Sequence, residues 1–332
     1  AEYKGIKGFK VQSLASDPTL VEGQVWYNTT TNLLKYQGLA AGTWSSSNTI
    51  NQTRGRPGGA GIQTAGLITG GSTGAPWVFY TNTETYDGST WTEVSDLNTG
   101  RGLKNGAGTQ TAALIAGGFS YDLSPNYTGK TEEYDGTSWT EGNLLTSPRG
   151  MNGGNGTQTA AFNAGGEGDP PVAAPAKSEE YDGTSWAAGN DLNTGRGQTA
   201  GSGTQTDALT ISGDAPGSWN AVESYDGTCW SATTNLGTGR YCGGTTSGAA
   251  SSGSLFFAGR PPTSGTALTE SWDGSTWTEV ADQATTTNQP GSFGTTILAV
   301  RAAGNTSPSA TTATSEEWTV PQPIETKTFT AT

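Results

Sequence analysis

Apolar residues along this chain fall in short runs that end in glycine. TAALIAGG (111–118) is one, and its counterparts are AGLITGG (65–71), AAFNAGG (160–166), DALTISGD (207–214), LFFAGR (255–260) and ILAVRAAGN (297–305). A short apolar run bounded by turn residues reads as a strand buried on both faces. The stretch before each run is nearly bare of side chains (GGAG, NGAG, GGNG, AGSG). That suits an innermost strand, where neighbouring backbones converge. After each run come a variable segment and a second pair of strands joined by Asp-Gly, a hairpin signal when flanked by aromatic or β-branched residues. One unit therefore predicts four strands, at 105–110, 111–118, 130–136 and 137–142.

The unit recurs. An aromatic precedes each Asp-Gly and a Trp follows it: Tyr86/Trp91, Tyr134/Trp139, Tyr181/Trp186, Tyr225/Trp230 and Trp272/Trp277, with degenerate copies at Tyr36/Trp44 and Trp318. Successive first aromatics lie 50, 48, 47, 44, 47 and 46 residues apart. Such a period, rich in Gly and aromatics, predicts an all-β fold, a β-propeller. Trp44 supplies the fourth strand of a last blade whose other strands come from the C-terminus. This gives six blades and no open sheet edge; seven blades follow instead if 25–46 adds a partial blade. The expected organisation is an N-terminal attachment segment at 1–45 with a β-hairpin or extended character, a propeller at 46–320 and a C-terminal tail at 321–332.

Two charges also recur. A Glu stands two residues before each aromatic (Glu84, Glu132, Glu179, Glu223, Glu270, Glu316), and an Arg follows the fourth strand (Arg101, Arg149, Arg196, Arg240, with Arg54 or Arg56 in the first copy). A charge copied once per blade reads as a packing solution, a Glu–Arg or Glu–backbone bond, rather than as a catalytic centre. The last copy lacks the Arg, so Glu316 needs another partner.

Paired glycines, an aromatic before a turn, a Trp after it and then Arg resemble the kelch repeat in a shortened, Gly-rich form. The resemblance covers roughly 50–320 and extends to such repeats in virion proteins of tailed bacteriophages, marine cyanobacterial ones especially. SLASDPTLVEGQVWYNTTTNLLKYQG (13–38) is similar to a G-Q-[IV]-[WY]-Y-N-T-T segment of phage tail-fibre and other structural proteins. The resemblance implies a non-enzymatic virion component on the particle surface: a tail-fibre or surface protein, with an architectural capsid or tail decoration protein as the alternative.

Composition narrows the chemistry. The chain has 332 residues, no His and a net charge of −13. Without His there is no Ser-His-Asp or Cys-His pair, no His-based metal site and no imidazole base. The copper ligands that galactose oxidase draws from histidine, in the best-known enzyme with kelch-like blades, have no counterpart. No cofactor or metal is expected. Glycoside hydrolysis needs only two carboxylates, so a glycan-degrading virion enzyme stays as a further alternative. The carboxylates outside the repeat (Asp122, Glu167, Asp169, Glu325) form no recognisable pair. YDGTSW differs in spacing from the Asp box of sialidases. The acidic balance argues against nucleic acid, and no apolar stretch is long enough for a membrane-spanning helix. AEYKGIKGFK (1–10) has no apolar core and does not read as a signal peptide. A bacterial surface or secreted module, which would normally bring one, is a third alternative. Cys229 and Cys242 are the only cysteines; a disulfide between them is open, but two cysteines are no framework.

Strand alternation puts the near-uniform IQT or TQT and DGTS turns on one face. The varied second-to-third connections fall on the other: 72–82, 119–130, 167–177, 215–221 and 261–268. Function on a rigid scaffold sits in such loops. Trp77, Phe79, Tyr80, Phe119, Tyr121, Tyr127 and Trp219 are the candidate binding residues, suited to stacking on sugars or anchoring a protein. Lys4, Lys7 and Lys10 are the candidate attachment residues. The expected partners are other virion proteins through the N-terminal segment and a host-surface glycan or protein through the loops; self-association is open.

Overall fold

The computed structural model describes residues 11–18, 25–38, 41–103, 106–168, 175–215, 217–247, 253–261, 265–307, 310–321 and 325–328. The chain divides into two units, Ala1–Thr43 with Val320–Thr332, and Trp44–Thr319. All regular structure among the described residues is β.

Among the described residues the larger unit contains six four-stranded sheets. Sheet 1 runs Gly58–Ile62, Ala65–Thr69, Thr83–Tyr86, Trp91–Val94. Sheet 2 runs Ala107–Thr109, Ala112–Ala116, Thr131–Tyr134, Trp139–Gly142. Sheet 3 runs Gly153–Thr157, Ala160–Ala164, Ser178–Tyr181, Trp186–Ala188. Sheet 4 runs Ala200–Thr204, Asp207–Ile211, Val222–Tyr225, Trp230–Ala232. Sheet 5 runs Gly244–Thr245, Ser254–Phe257, Thr269–Trp272, Trp277–Glu279. Sheet 6 takes Gly291–Gly294, Leu298–Ala302 and Ser315–Thr319 from the end of the repeats, and Thr43–Ser47 lies beside Ser315–Thr319 as its fourth strand. Each first strand neighbours those of the sheets before and after it, and that of sheet 6 neighbours that of sheet 1. This is a β-propeller-like repeat architecture.

The core lies between sheets rather than at one centre. Leu67 of sheet 1 packs with Ala113, Ile115, Tyr134 and Trp139 of sheet 2. Phe293 and Val300 of sheet 6 pack with Ile68, Tyr86 and Trp91 of sheet 1. Tyr134 and Trp139 face each other across the hairpin with ring centroids 5.0 Å apart. The Trp139 indole donates to Thr83 Oγ1 of the sheet before, at 3.0 Å. Burial pushes the Tyr86 phenol up to about 12, so it stays protonated and donates to Glu317 of sheet 6.

The uniform turns carry bonds of their own. Gln110 in the TQT turn of sheet 2 donates to the Gly66 and Tyr86 carbonyls of sheet 1, at 3.0 and 2.9 Å. Gln158 and Gln205 bridge the following sheets in the same way, and Gln63 reaches the Trp318 carbonyl of sheet 6 at 3.0 Å. In the DGTS turn, Asp135 accepts the Thr137 and Ser138 N–H groups at 2.8 and 2.7 Å. Those bonds favour the carboxylate and hold Asp135 below its ordinary pKa. Asp87, Asp182 and Asp226 are lowered by the same cause, and Asp273 is lowered to about 2. A carboxylate with a depressed folded-state pKa adds stability that is complete above its unfolded value and lost as pH falls through the folded value. The urea midpoint is therefore expected to stay level from neutral pH to about 4 and to decline from there towards about 2. Asn at Asp135 and Asp182 should lower the neutral-pH midpoint and flatten that decline. An unchanged slope would exclude these turns as its source.

The recurring charges meet as buried pairs: Arg54–Glu84, Arg101–Glu132, Arg149–Glu179, Arg196–Glu223, Arg240–Glu270 and Arg301–Glu316. In the first copy the partner is Arg54, not Arg56. In the last, Arg301 sits opposite Glu316 in the register of sheet 6 and replaces the missing loop arginine. Each Glu also accepts a backbone N–H from the preceding connection, as from Asn98 to Glu132 at 2.7 Å. Neither cysteine forms a disulfide; Cys229 is exposed in its turn and Cys242 is buried.

The smaller unit is one sheet. Gln12–Leu14 runs parallel to Val25–Asn28, which pairs antiparallel with Leu33–Gly38, and Glu325–Thr328 pairs antiparallel on the far side. Residues 325–328 of the expected tail are thus a strand. The WYNTT residues make its turn: Asn28 Oδ1 accepts the Thr30 and Thr31 N–H groups at 3.0 and 2.9 Å. Asp17 gathers Trp26 Nε1, Asn28 Nδ2 and Lys35 Nζ.

Candidate functional site

Two positions in every repeat combine a copied backbone with a varied side chain. The first follows Arg-Gly or its equivalent at the entrance to each first strand: Arg56, Leu103, Met151, Gln198, Cys242 and Gln289. Five of these six, all but Leu103, hold a positive φ between 52° and 62° (or 51° at Gln289) although none is glycine. That conformation is uncommon for such residues, and its recurrence makes it part of the scaffold. Backbone bonds link successive copies: Leu103 N to Arg56 O at 2.8 Å, Arg56 N to Gln289 O at 2.9 Å, and Gln289 N to Cys242 O at 2.7 Å. Their side chains converge. Gln289 Nε2 of sheet 6 comes within 4.0 Å of Met151 Sδ of sheet 3, and both residues are buried. The Cys242 thiol donates to Gln198 Oε1.

The second position follows the glycines that end each second strand: Ser72, Phe119, Glu167, Asp214, Arg260 and Asn305. An isolated antiparallel bridge fixes each one, to Gly55, Gly102, Gly150, Gly197, Tyr241 and Asn288 in turn. Gly118 shows why the preceding residue stays small. Its φ is +130°, and a Cβ there would sit 2.8 Å from Arg101 Cδ. Two side-chain rings of unlike chemistry thus stand on a nearly constant backbone. The signal lies in the sequence as the variable column after Arg-Gly and after Gly-Gly, apart from the loop aromatics.

The aromatic candidates divide. Phe119, in the second ring, lies 4.7 Å from Tyr121, 5.3 Å from Tyr127 and 5.5 Å from Phe79, centroid to centroid. Trp77 lies 6.4 Å from Phe79 and 6.1 Å from Tyr121. These five rings form one cluster drawn from the loops of sheets 1 and 2. Each loop is held by its own bridge, Ser72 to Phe79 and Phe119 to Tyr127, so the cluster is preorganised. Tyr121 is 56% exposed and Val78, between Trp77 and Phe79, is 51% exposed; the other four rings are half-buried. The Arg56 guanidinium lies 4.4 Å from the Trp77 ring centroid, a cation–π contact. The Tyr127 hydroxyl donates to Glu167 Oε2 at 2.8 Å, and Gln198 Nε2 donates to Glu167 Oε1 at 2.7 Å.

Tyr80 and Trp219 stand apart. Tyr80 is half-buried and its N–H donates to Gly71 O at 2.9 Å. Trp219 lies in the loop of sheet 4, where its carbonyl accepts the Arg240 N–H at 2.9 Å. Neither joins the ring cluster among the described contacts. Lys4, Lys7, Lys10 and Asp169 lie outside the described residues. Asp122 is exposed, the side chain of Glu325 is not among those described, and no group of three or more Cys, Asp or Glu among the described residues is arranged to hold a metal ion.

Fold and site together define an all-β, propeller-like repeat protein with a side-chain-diverse loop face. The chain is similar to the solved structure of YjhT, a propeller-type protein, with a TM-score of 0.68 over 85% of this chain and 99% of that one. At 13% identity the likeness speaks for the fold alone. No family model matches the chain, and no curated protein does.

Proposed function

We propose that the six sheets are the blades of one kelch-like, six-bladed propeller that acts as a non-enzymatic recognition module on the surface of a virion. On this reading Thr43–Ser47 closes the ring. The loop face recognises a host-surface glycan, and the N-terminal segment engages other virion proteins. The observation that carries recognition is the preorganised cluster of Trp77, Phe79, Phe119, Tyr121 and Tyr127 under Arg56. Aromatic faces that are partly exposed and fixed before binding suit the apolar faces of sugar rings. The virion assignment rests on the likeness of residues 13–38 to tail-fibre segments. The absence of His from the chain and the engagement of both Glu167 oxygens favour binding over hydrolysis.

The test is a screen of the full chain against purified bacterial surface polysaccharides, with reducing-sugar release followed in parallel. Binding without sugar release is expected. Trp77→Ala and Tyr121→Ala should each weaken binding by about tenfold or more while leaving the thermal midpoint nearly unchanged. Binding that ignores both substitutions would move recognition away from this face. Sugar release that disappears in Glu167→Gln would favour the hydrolase instead.

A further inference from the structure

The chain has eight arginines. Six are buried in ion pairs with the repeat glutamates. The remaining two are Arg56 and Arg260, and neither forms an ion pair among the described residues. They occupy the two variable positions described above, one in each ring. Both guanidinium groups lie against aromatic faces, Arg56 at 4.4 Å from the Trp77 centroid and Arg260 at 4.9 Å from the Tyr241 centroid. Arg260 Nε is buried without a hydrogen-bond partner. In a chain of net charge −13, two arginines outside the repeat ion pairs on the loop face are not general surface charge.

Resting on the reading of that face as a glycan-recognition surface, we infer that Arg56 and Arg260 form a subsite for the acidic group, carboxylate or sulfate, of an anionic glycan whose ring stacks beside Trp77 and Tyr121. Guanidinium groups suit such oxyanions because their planar N–H pairs match two oxygens at once. Arg56 N bonds Gln289 O at 2.9 Å and Gln289 N bonds Cys242 O at 2.7 Å, which brings the Arg56 position towards Tyr241, the ring on which Arg260 stacks. Burial keeps Arg56 below the ordinary arginine value, and the like charge of Arg260 acts in the same direction. An anion between the two would relieve that repulsion. Glu167 is the carboxylate that Arg56 senses, but its oxygens are held by Tyr127 and Gln198. Asp214 stands near Tyr241 and is exposed. Stacking on a ring fixes each cation. Arg56 Nη1 donates to Ser72 Oγ at 3.4 Å and Arg260 also bonds Tyr241, while Arg260 Nε and the other Arg56 N–H groups are left for a ligand.

The test measures binding of the full chain to three probes of known charge: polygalacturonate for carboxylate, dextran sulfate for sulfate and dextran as the neutral sugar polymer. The acidic polymers are expected to bind more tightly than dextran and to weaken as salt rises. Arg56→Gln and Arg260→Gln should each reduce acidic binding about tenfold and leave dextran binding in place. Arg56→Lys, which keeps the charge, should restore part of the preference and so separates charge from folding. The tighter of the two acidic probes names the acidic group. Equal binding of acidic and neutral polymers would overturn the subsite while leaving aromatic recognition standing. Acidic binding that survives both Gln substitutions would also overturn it. A chain that binds none of the three overturns the recognition reading and the subsite with it.

Discussion

Arg101→Ala is expected to lower the unfolding free energy by about 3–5 kcal/mol. The reason is the state in which it leaves Glu132. That carboxylate has no exposed surface and sits 2.5 Å from Arg101 Nη1. Without the guanidinium it is a buried charge whose remaining partners are Asn98 N at 2.7 Å and Asn98 Nδ2 at 2.9 Å. Arg101 also donates to Gly117 O at 2.8 Å and Thr99 O at 2.9 Å, so two carbonyls lose donors as well. The double variant Arg101→Met/Glu132→Leu should lose much less than the single one, because no orphaned charge remains. Arg301→Ala should behave like Arg101→Ala despite its different place in the repeat. Denaturant titration of the variants checks all three, and a single-variant loss under about 1 kcal/mol would contradict the account.

Gly201→Val is expected to be as damaging, at about 3 kcal/mol or more. A Cβ on Gly201 would lie 2.4 Å from Gly154 N and 2.8 Å from Gly153 C. These are backbone atoms of the neighbouring first strand, so no side-chain rotation relieves the overlap. The sheets would have to separate where they pack most closely. Gly239→Ala is the matched control, since its Cβ would meet nothing nearer than 3.5 Å. Thermal unfolding should show a large fall for the first and little change for the second. A Gly201→Val chain as stable as the parent would mean that the first strands are not in contact there.

Much of this was legible in the chain. Strands are local objects, and the alternation of bare, apolar and Asp-Gly-centred segments placed the four strands of residues 105–142 to within a few residues of Ala107–Gly142. The Glu–Arg pairing was legible because both partners recur. The substitute Arg301 was not, because its pairing depends on strand register rather than on repeat position. The Gln of the TQT turn looked like uniform filler, yet Gln110 reaches two carbonyls of another sheet, a contact that no local pattern encodes. At the loop face, aromatic identity picked out Trp77, Phe79, Phe119, Tyr121 and Tyr127 but could not separate them from Tyr80 and Trp219. That distinction depends on which loops stand side by side. The two arginines were hidden for the opposite reason. Arg56 resembled the repeat arginine, and Arg260 resembled the end of a strand.

Thr43–Ser47 is synthesised before any of the six sheets and is placed beside Ser315–Thr319, with Ser315 Oγ donating to Asn48 O at 2.5 Å across 267 positions. An element made first must therefore wait for the last. Contacts this far apart in sequence form late, because the chain between them must be ordered before they hold. During synthesis the growing array exposes an unpaired strand edge at its advancing end, a site for sticking to other chains until Ser315–Thr319 has been made and paired. Once made, the pairing ties the two strands to each other: a cut or a local opening that frees either Thr43–Ser47 or Ser315–Thr319 leaves the other as an unpaired edge.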